Sequence, residues 1–166
     1  MAAAQDHAVS VTPRKRVLVV DDDDRVRKIH QDQLKSFGVE SCFARNGKEA
    51  IDIISSDWSA PTFDLILMAR HMPLMDGILT TMVLRTIGYP SLIYGVSHRL
   101  TEAEWEEYFS ARPDDIYDEG KPLSIDTMKY IVESIPTPKP CYAWRERVSR
   151  LPKQDKGYWY SCFFDQ

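Results

Sequence analysis

The chain has 166 residues, of which 43% are hydrophobic and 28% charged, with a formal net charge of −4. These values are typical of one globular domain with an extension, and they give no general reason to expect binding to nucleic acid or to a membrane surface. No apolar run approaches the length of a membrane span. The three cysteines (Cys42, Cys141 and Cys162) are odd in number and widely spaced, which fits free thiols in a reducing compartment better than a disulfide framework. We therefore expect an intracellular protein, located in the cytoplasm, the nucleus or both.

Three regions differ in composition. Residues 1–15 show no apolar periodicity, and we expect them to be disordered. Residues 16–136 have the pattern of a folded domain. Residues 137–166 form a tail rich in proline, aromatic and basic residues, and from Pro136 to Gln166 six basic residues stand against three acidic ones. Such a tail could bind single-stranded nucleic acid or a membrane surface, but packing on the domain or on a protein partner is the favoured interpretation.

Within the domain, short apolar runs alternate five times with helical patterns. The predicted strands are 17–20, 39–44, 63–68, 92–96 and 116–117. The helices between and after them include a first helix with Val26, Ile29, Leu34 and Phe37 on one side, a short helix through Ala50 and Ile54, helix 78–87, a helix opened by the capping box Thr101–Glu104, and helix 124–135. This alternation predicts a parallel sheet with helices on both faces.

Polar residues follow three of these strands. Asp21 and Asp22 follow the first strand, Ser97 follows the fourth and Lys121 follows the fifth, whereas the third strand leads to position 69. The carboxyl ends of parallel strands meet at one edge of the sheet, where ligands collect. Two carboxylates suit a hard cation such as Mg²⁺, and a lysine with a hydroxyl suits a phosphoryl group. Helix capping and ordinary surface positions would also account for these residues one by one.

Four segments together resemble the motifs of receiver domains from two-component response regulators, and plant receivers most of all. They are VLVVDDDD at 17–24, DLILMARHMPLMDG at 64–77, YGVS at 94–97 and GKPL at 120–123. The resemblance implies a flavodoxin-like, doubly wound, five-stranded parallel sheet of order 2-1-3-4-5, with helices on both faces.

The resemblance also implies roles for individual residues. Asp22 would bind Mg²⁺ directly, Asp21 would assist, and the backbone carbonyl of His71 would be a further ligand. Ser97 would act as the switch hydroxyl, and Lys121, before a cis peptide to Pro122, would contact the phosphoryl group. Family members act in phosphorelays, with histidine-containing phosphotransfer proteins as donors and hybrid histidine kinases as further partners. In plants the pathway would be cytokinin signalling.

Ala69 departs from the family pattern at the decisive position, since family members carry there the aspartate that is phosphorylated. A methyl group supplies no oxygen for an acyl phosphate, and loss of a carboxylate weakens a Mg²⁺ site. We therefore predict a protein-binding module that is not an enzyme, does not take phosphate and binds Mg²⁺ weakly or not at all. The alanine could be natural or an engineered block. In addition, Asp118 stands where an aromatic residue is usual, with Tyr117 one place earlier.

The sequence suggests two further classes of function, an enzyme and a DNA-binding regulator. Asp22 and Asp24 after an apolar strand also resemble the loop of haloacid-dehalogenase-type phosphatases, in which one aspartate is the nucleophile and the other the acid/base. A DNA-binding regulator is unsupported, because nothing after Ile135 has the pattern of a helix-turn-helix.

Overall fold

The computed structural model describes residues 14–56 and 62–136. Residues 57–61, the tail 137–166 and most of the segment 1–15, which is predicted to be disordered, lie outside the described residues. Within them, no helix is long and apolar enough to cross a membrane.

Five strands alternate with five helices, as the sequence predicts. They are β1 (Arg16–Val20), α1 (Asp24–Ser36), β2 (Glu40–Ala44), α2 (Gly47–Ser56), β3 (Leu65–Ala69), α3 (Gly77–Thr86), β4 (Leu92–Val96), α4 (Glu102–Ser110), β5 (Asp115–Tyr117) and α5 (Ile125–Ser134). All neighbouring strands are parallel, and their order is β2-β1-β3-β4-β5. The predicted fold class and strand order are confirmed.

β3 is the centre of the molecule, and all five of its residues are buried. Leu65 and Leu67 belong to a core shared with α1 and α5, whereas Ile66 and Met68 belong to a core shared with α2 and α3. Alternate side chains of a strand point to opposite faces, so a strand covered on both sides must be apolar throughout. The apolar run of β3 is continuous because helices cover the strand on both faces of the sheet.

Several apolar positions differ from the prediction. The buried residues of α1 are Val26, His30 and Leu34, and Ile29 is 41% exposed. These three buried residues are four apart and form one stripe, and Ile29 is one position off it. β3 begins two residues later than predicted, and Phe63 reaches the core from outside the strand.

Local signals in the sequence set the helix starts. Asp23 is the N-cap of α1 and accepts from the amides of Arg25 and Val26. The capping box of Thr101 and Glu104 is present at α4, and Ser124 caps α5.

Gly38 follows α1 with a φ of 71°, which suits a glycine at a helix end. The peptide between Lys121 and Pro122 is cis, as the resemblance implies.

Candidate functional site

The residues predicted to form a site lie at the carboxyl edge of the sheet. Asp21 follows β1, which pairs with β3, and Ala69 ends β3 opposite Val96 of β4. Ser97 follows β4 and is buried, and its amide donates to the carbonyl of Tyr117 at the end of β5. The parallel register therefore brings Asp21, Ala69 and Ser97 to one edge, at the ends of three neighbouring strands.

Lys121 makes direct contact with the aspartate pair. Its Nζ donates to Oδ2 of the buried Asp21 at 3.0 Å and lies 3.9 Å from Oδ1 of Asp22. Oδ1 of Asp21 accepts from the amide of Asp23 at 3.0 Å. Burial raises the pKa of Asp21 above its usual value, although the Asp23 amide and the Lys121 ammonium favour the ionised form. The Lys121 ammonium group therefore lies within ion-pair distance of both the Asp21 and the Asp22 carboxylates.

Two of the three predicted metal ligands, Asp21 and Asp22, carry charge, and the third is the backbone carbonyl of His71. Among residues 14–56 and 62–136, no three or more acidic, histidine or cysteine side chains are grouped so that they could hold a metal ion. Asp21 and Asp22 offer two carboxylates, and Asp21 is already bonded to Lys121. The donor set present is therefore a poor fit to Mg²⁺, which binds through several oxygen ligands.

Ala69 is buried at the end of β3, and the loop after it folds back closely. The amide of Gly77 donates to the carbonyl of Arg70 at 2.8 Å. A Cβ on Gly77 would lie 2.1 Å from the carbonyl oxygen of Ala69, so this close approach requires glycine. Asp76 caps α3 by accepting from the amide of Leu79 at 2.8 Å, as an aspartate at a helix start commonly does. The side chain of Ala69 provides no polar group to this edge.

Arg70, which the sequence analysis did not single out, connects the site to α4. Its guanidinium is buried and donates to Glu104 at 3.0 Å and to Glu107 at 2.6 Å. The exposed imidazole of His71 lies beside this group, 3.8 Å from Glu104. Two glutamates spaced i and i+3 on one helix are a signal for such a pairing, but the partner lies 34 residues away in the chain.

Tyr108 is a second residue that the sequence analysis missed as part of the site. It is fully buried in α4, and its hydroxyl donates to the carbonyl of Met68 in β3 at 2.8 Å. Its ring lies against Gly95 so closely that a Cβ there would be 2.6 Å away. Burial raises the pKa of Tyr108, which keeps the hydroxyl protonated as a donor. Asp118, at the place of the usual aromatic residue, instead accepts from the amide of Leu100 at 2.9 Å.

Two open grooves flank Asp22 at the surface. One, of about 580 Å³, lies between the loops after β1, β4 and β5, and its lining includes His98, Glu119 and Lys121. The other, of about 470 Å³, lies between the loops before α2 and α3 and includes Arg45 and Leu74. Both have mixed charge and are open, which suits contact with another protein better than enclosure of a small substrate.

The geometry does not favour the phosphatase alternative. Asp24, its acid/base candidate, is the first residue of α1, is 89% exposed and forms an ion pair with Arg27. Asp22, its nucleophile candidate, lies on the loop beside Lys121. An exposed aspartate in a first helical turn interacts favourably with the helix dipole, which accounts for Asp24 without a catalytic role.

A parallel sheet of this order, with an aspartate pair and a lysine at its carboxyl edge, is the arrangement that the resemblance to receiver domains implies. The chain belongs to the response regulator receiver domain family, whose model matches residues 17–133. It is 39% identical over 118 residues to two-component response regulator 24 of Arabidopsis thaliana, covering 71% of this chain and 81% of that one. It is 42% identical over 93 residues to ARR22 of the same plant, covering 56% of this chain and 64% of the relative.

A solved structure agrees in fold. The receiver domain of Ssk1 from Saccharomyces cerevisiae, crystallised with the histidine phosphotransfer protein Ypd1, matches with a TM-score of 0.64 at 18% identity. The match covers 75% of this chain and 90% of that one. This likeness concerns the fold alone.

Proposed function

We propose that this protein is a plant-type receiver that binds histidine-containing phosphotransfer proteins without accepting their phosphoryl group. One observation carries the proposal: the residue at the end of β3 is a buried alanine, where the family pattern has the aspartate that is phosphorylated. The domain of residues 16–136 acts by contact in a His-to-Asp phosphorelay. Its location in the plant cell is the cytoplasm or nucleus, and its pathway is cytokinin signalling.

The chemical reason is the absence of a nucleophile at position 69. Transfer of a phosphoryl group from histidine to the receiver requires a carboxylate oxygen in line with the phosphorus atom, and a methyl group offers none. The neighbouring Arg70 cannot replace it, because its guanidinium is a donor without lone pairs and is engaged with Glu104 and Glu107. The protein is therefore a binding module and not an enzyme.

We expect the remaining site residues to lose most of the function that they have in family members. Asp21, Asp22 and the backbone carbonyl of His71 are the Mg²⁺ ligands left to the site. Lys121 and Ser97 are its phosphoryl-contacting groups. With one carboxylate fewer, and with Lys121 already bonded to Asp21, we expect weak Mg²⁺ binding.

The partner assignment is supported by the relatives and by the surface. Relatives at 39% and 42% identity are plant two-component response regulators, and a receiver of the same fold was crystallised with a histidine phosphotransfer protein. The open, polar grooves beside Asp22 fit a protein surface. Hybrid histidine kinases are further candidate partners, whereas neither nucleic acid nor a membrane is expected to bind.

Calorimetric titration with a plant histidine-containing phosphotransfer protein tests this binding. We expect the full chain and the variant Ala69→Asp to bind the unphosphorylated protein with the same affinity in EDTA, because the contact surface is unchanged. Added Mg²⁺ should alter the affinity of Ala69→Asp only. Absence of binding by both chains, or an equal Mg²⁺ effect on both, would contradict the proposal.

A further inference from the structure

One side of the sheet is incompletely covered near β5. α1 and α5 pack on this face, and Tyr94 of β4 and Tyr117 of β5 are only partly buried against its core. The two rings are tilted, with centroids 5.7 Å apart. Tyr130 of α5 is 65% exposed and lies near enough to Tyr117 to interact with it electrostatically. We call Tyr94, Tyr117 and Tyr130 the tyrosine face.

The border of the tyrosine face is acidic. Residues 114–119 contain Asp114, Asp115, Asp118 and Glu119 and no basic residue. Asp114 forms an ion pair with Arg85, and Asp118 accepts a hydrogen bond from the amide of Leu100. Asp115 and Glu119 are exposed, and the side chain of Asp115 is hydrogen-bonded to Tyr117.

The outer side of α5 continues this border. Asp126 and Glu133 lie within one turn of Tyr130 on either side, together with one cation, Lys129. A segment that covers the tyrosine face should therefore carry aromatic side chains and several positive charges.

We propose that residues 137–150 of this same chain cover the tyrosine face. This stretch contains Lys139, Arg145, Arg147 and Arg150 against Glu146 alone, a balance of +3, with Tyr142 and Trp144 among them. The following residues 151–166 carry Lys153 and Lys156 against Asp155 and Asp165, a balance of zero. Positive charge is thus concentrated in the half of the tail that follows α5 most closely in the sequence.

The connection to α5 favours this occupant over a separate molecule. The segment begins at residue 137, three positions after Ser134, the last residue of α5. Fourteen extended residues reach up to about 45 Å, whereas a strand of five residues is only about 17 Å long. A tethered segment binds at a high effective concentration, so modest contacts between Trp144 and the tyrosines suffice to hold it.

Amide NMR spectra of the full chain test the location. Trp144→Ser should shift the amide signals of β4, β5 and the exposed side of α5, because it removes the ring placed over them. Trp159→Ser is the matched control, since it removes a tryptophan of the same tail outside the proposed segment, and it should leave these signals unchanged. Shifts elsewhere in the domain, no shifts, or equal shifts from both variants would overturn the proposal.

A reciprocal pair of variants tests the contact from the domain. Tyr130→Ser should shift the indole NH signal of Trp144 toward the position of a solvated indole, whereas Phe109→Ser, on the 69% exposed Phe109 of α4, should not. Both side chains are exposed, so neither change should unfold the domain. If the effect of Tyr130→Ser disappears on dilution, a second copy of the chain is the occupant and the intramolecular proposal fails.

Discussion

His30 is a buried histidine held by a single hydrogen bond. Its Nε2 accepts from the amide of Leu123 at 3.0 Å, and its Nδ1 is buried without a partner. Burial lowers the pKa of His30 to about 4, with a further small contribution from the charge of Lys121. The neutral imidazole fixes the start of α5 against α1, and protonation would remove its acceptor.

We predict that this histidine makes the domain lose stability on mild acidification. In the unfolded chain the imidazole takes up a proton near its usual pKa of about 6.5, whereas in the folded state it stays neutral down to about 4. The unfolded state therefore binds more protons in this interval, and the free energy of unfolding should fall by about 2 kcal/mol between about pH 7 and about pH 5.

Urea unfolding at these two pH values measures the change. His30→Gln, whose amide oxygen can still accept from Leu123, should lose most of this pH dependence. The raised pKa of Asp21 contributes a pH dependence of the opposite sign, and this contribution is common to both chains. An equal pH dependence in the two chains would show that His30 is not its source.

At the scale of elements, α4 is attached to its neighbours by three separate contacts. Tyr108 bonds to β3, Arg70 bridges to two glutamates of α4, and Asp118 bonds to the amide of Leu100 in the loop before the helix. The buried bond of Tyr108 fixes the helix against the sheet, and the ion pairs of the buried Arg70 reach the helix from the loop after β3. The segment between β4 and α4 is therefore held in one position.

Removing the tyrosine hydroxyl tests how much the deepest of these contacts contributes. Tyr108→Phe should lower the free energy of unfolding by about 1–2 kcal/mol, because the carbonyl of Met68 loses its buried donor. Gly95→Ala should cost at least as much, about 1–3 kcal/mol, since the added Cβ would overlap the ring of Tyr108.

Urea unfolding and amide exchange in α4 provide the readout. Phe109→Ala, one position along the same helix and largely exposed, should change stability by less than about 0.5 kcal/mol. A loss in Tyr108→Phe no greater than in this control would contradict the buried contact.

The elements themselves could be predicted because their signals are local. The capping box of α4 and the cap at Asp76 need only residues within one turn, and the apolar run of β3 needs only its own burial. The ion pair of Arg70 could not be predicted, since it depends on how α4 lies over the loop after β3. Exposure of Ile29 depends in the same way on the exact rotation of α1.

At the scale of the whole molecule, alternation and parallel pairing bring distant residues to one edge. Asp21 and Lys121 are 100 residues apart and in direct contact. The sequence predicted their common location because right-handed parallel crossovers leave only one edge for the ends of the strands. It could not predict that Lys121 would bond to Asp21 itself, which depends on side-chain geometry after β5. The choice between the domain and another protein as the surface that the tail packs on could not be predicted either, since its local pattern suits both.

The central claim is that the protein signals by contact and takes no phosphate. The most direct measurement is transfer from a histidine-containing phosphotransfer protein carrying ³²P on its histidine, in Mg²⁺, to the full chain and to Ala69→Asp. We predict that the unaltered chain stays unlabelled while the donor keeps its label, and that Ala69→Asp, which places a carboxylate at the end of β3, becomes labelled. An acid-stable, hydroxylamine-sensitive label on the unaltered chain would contradict this account.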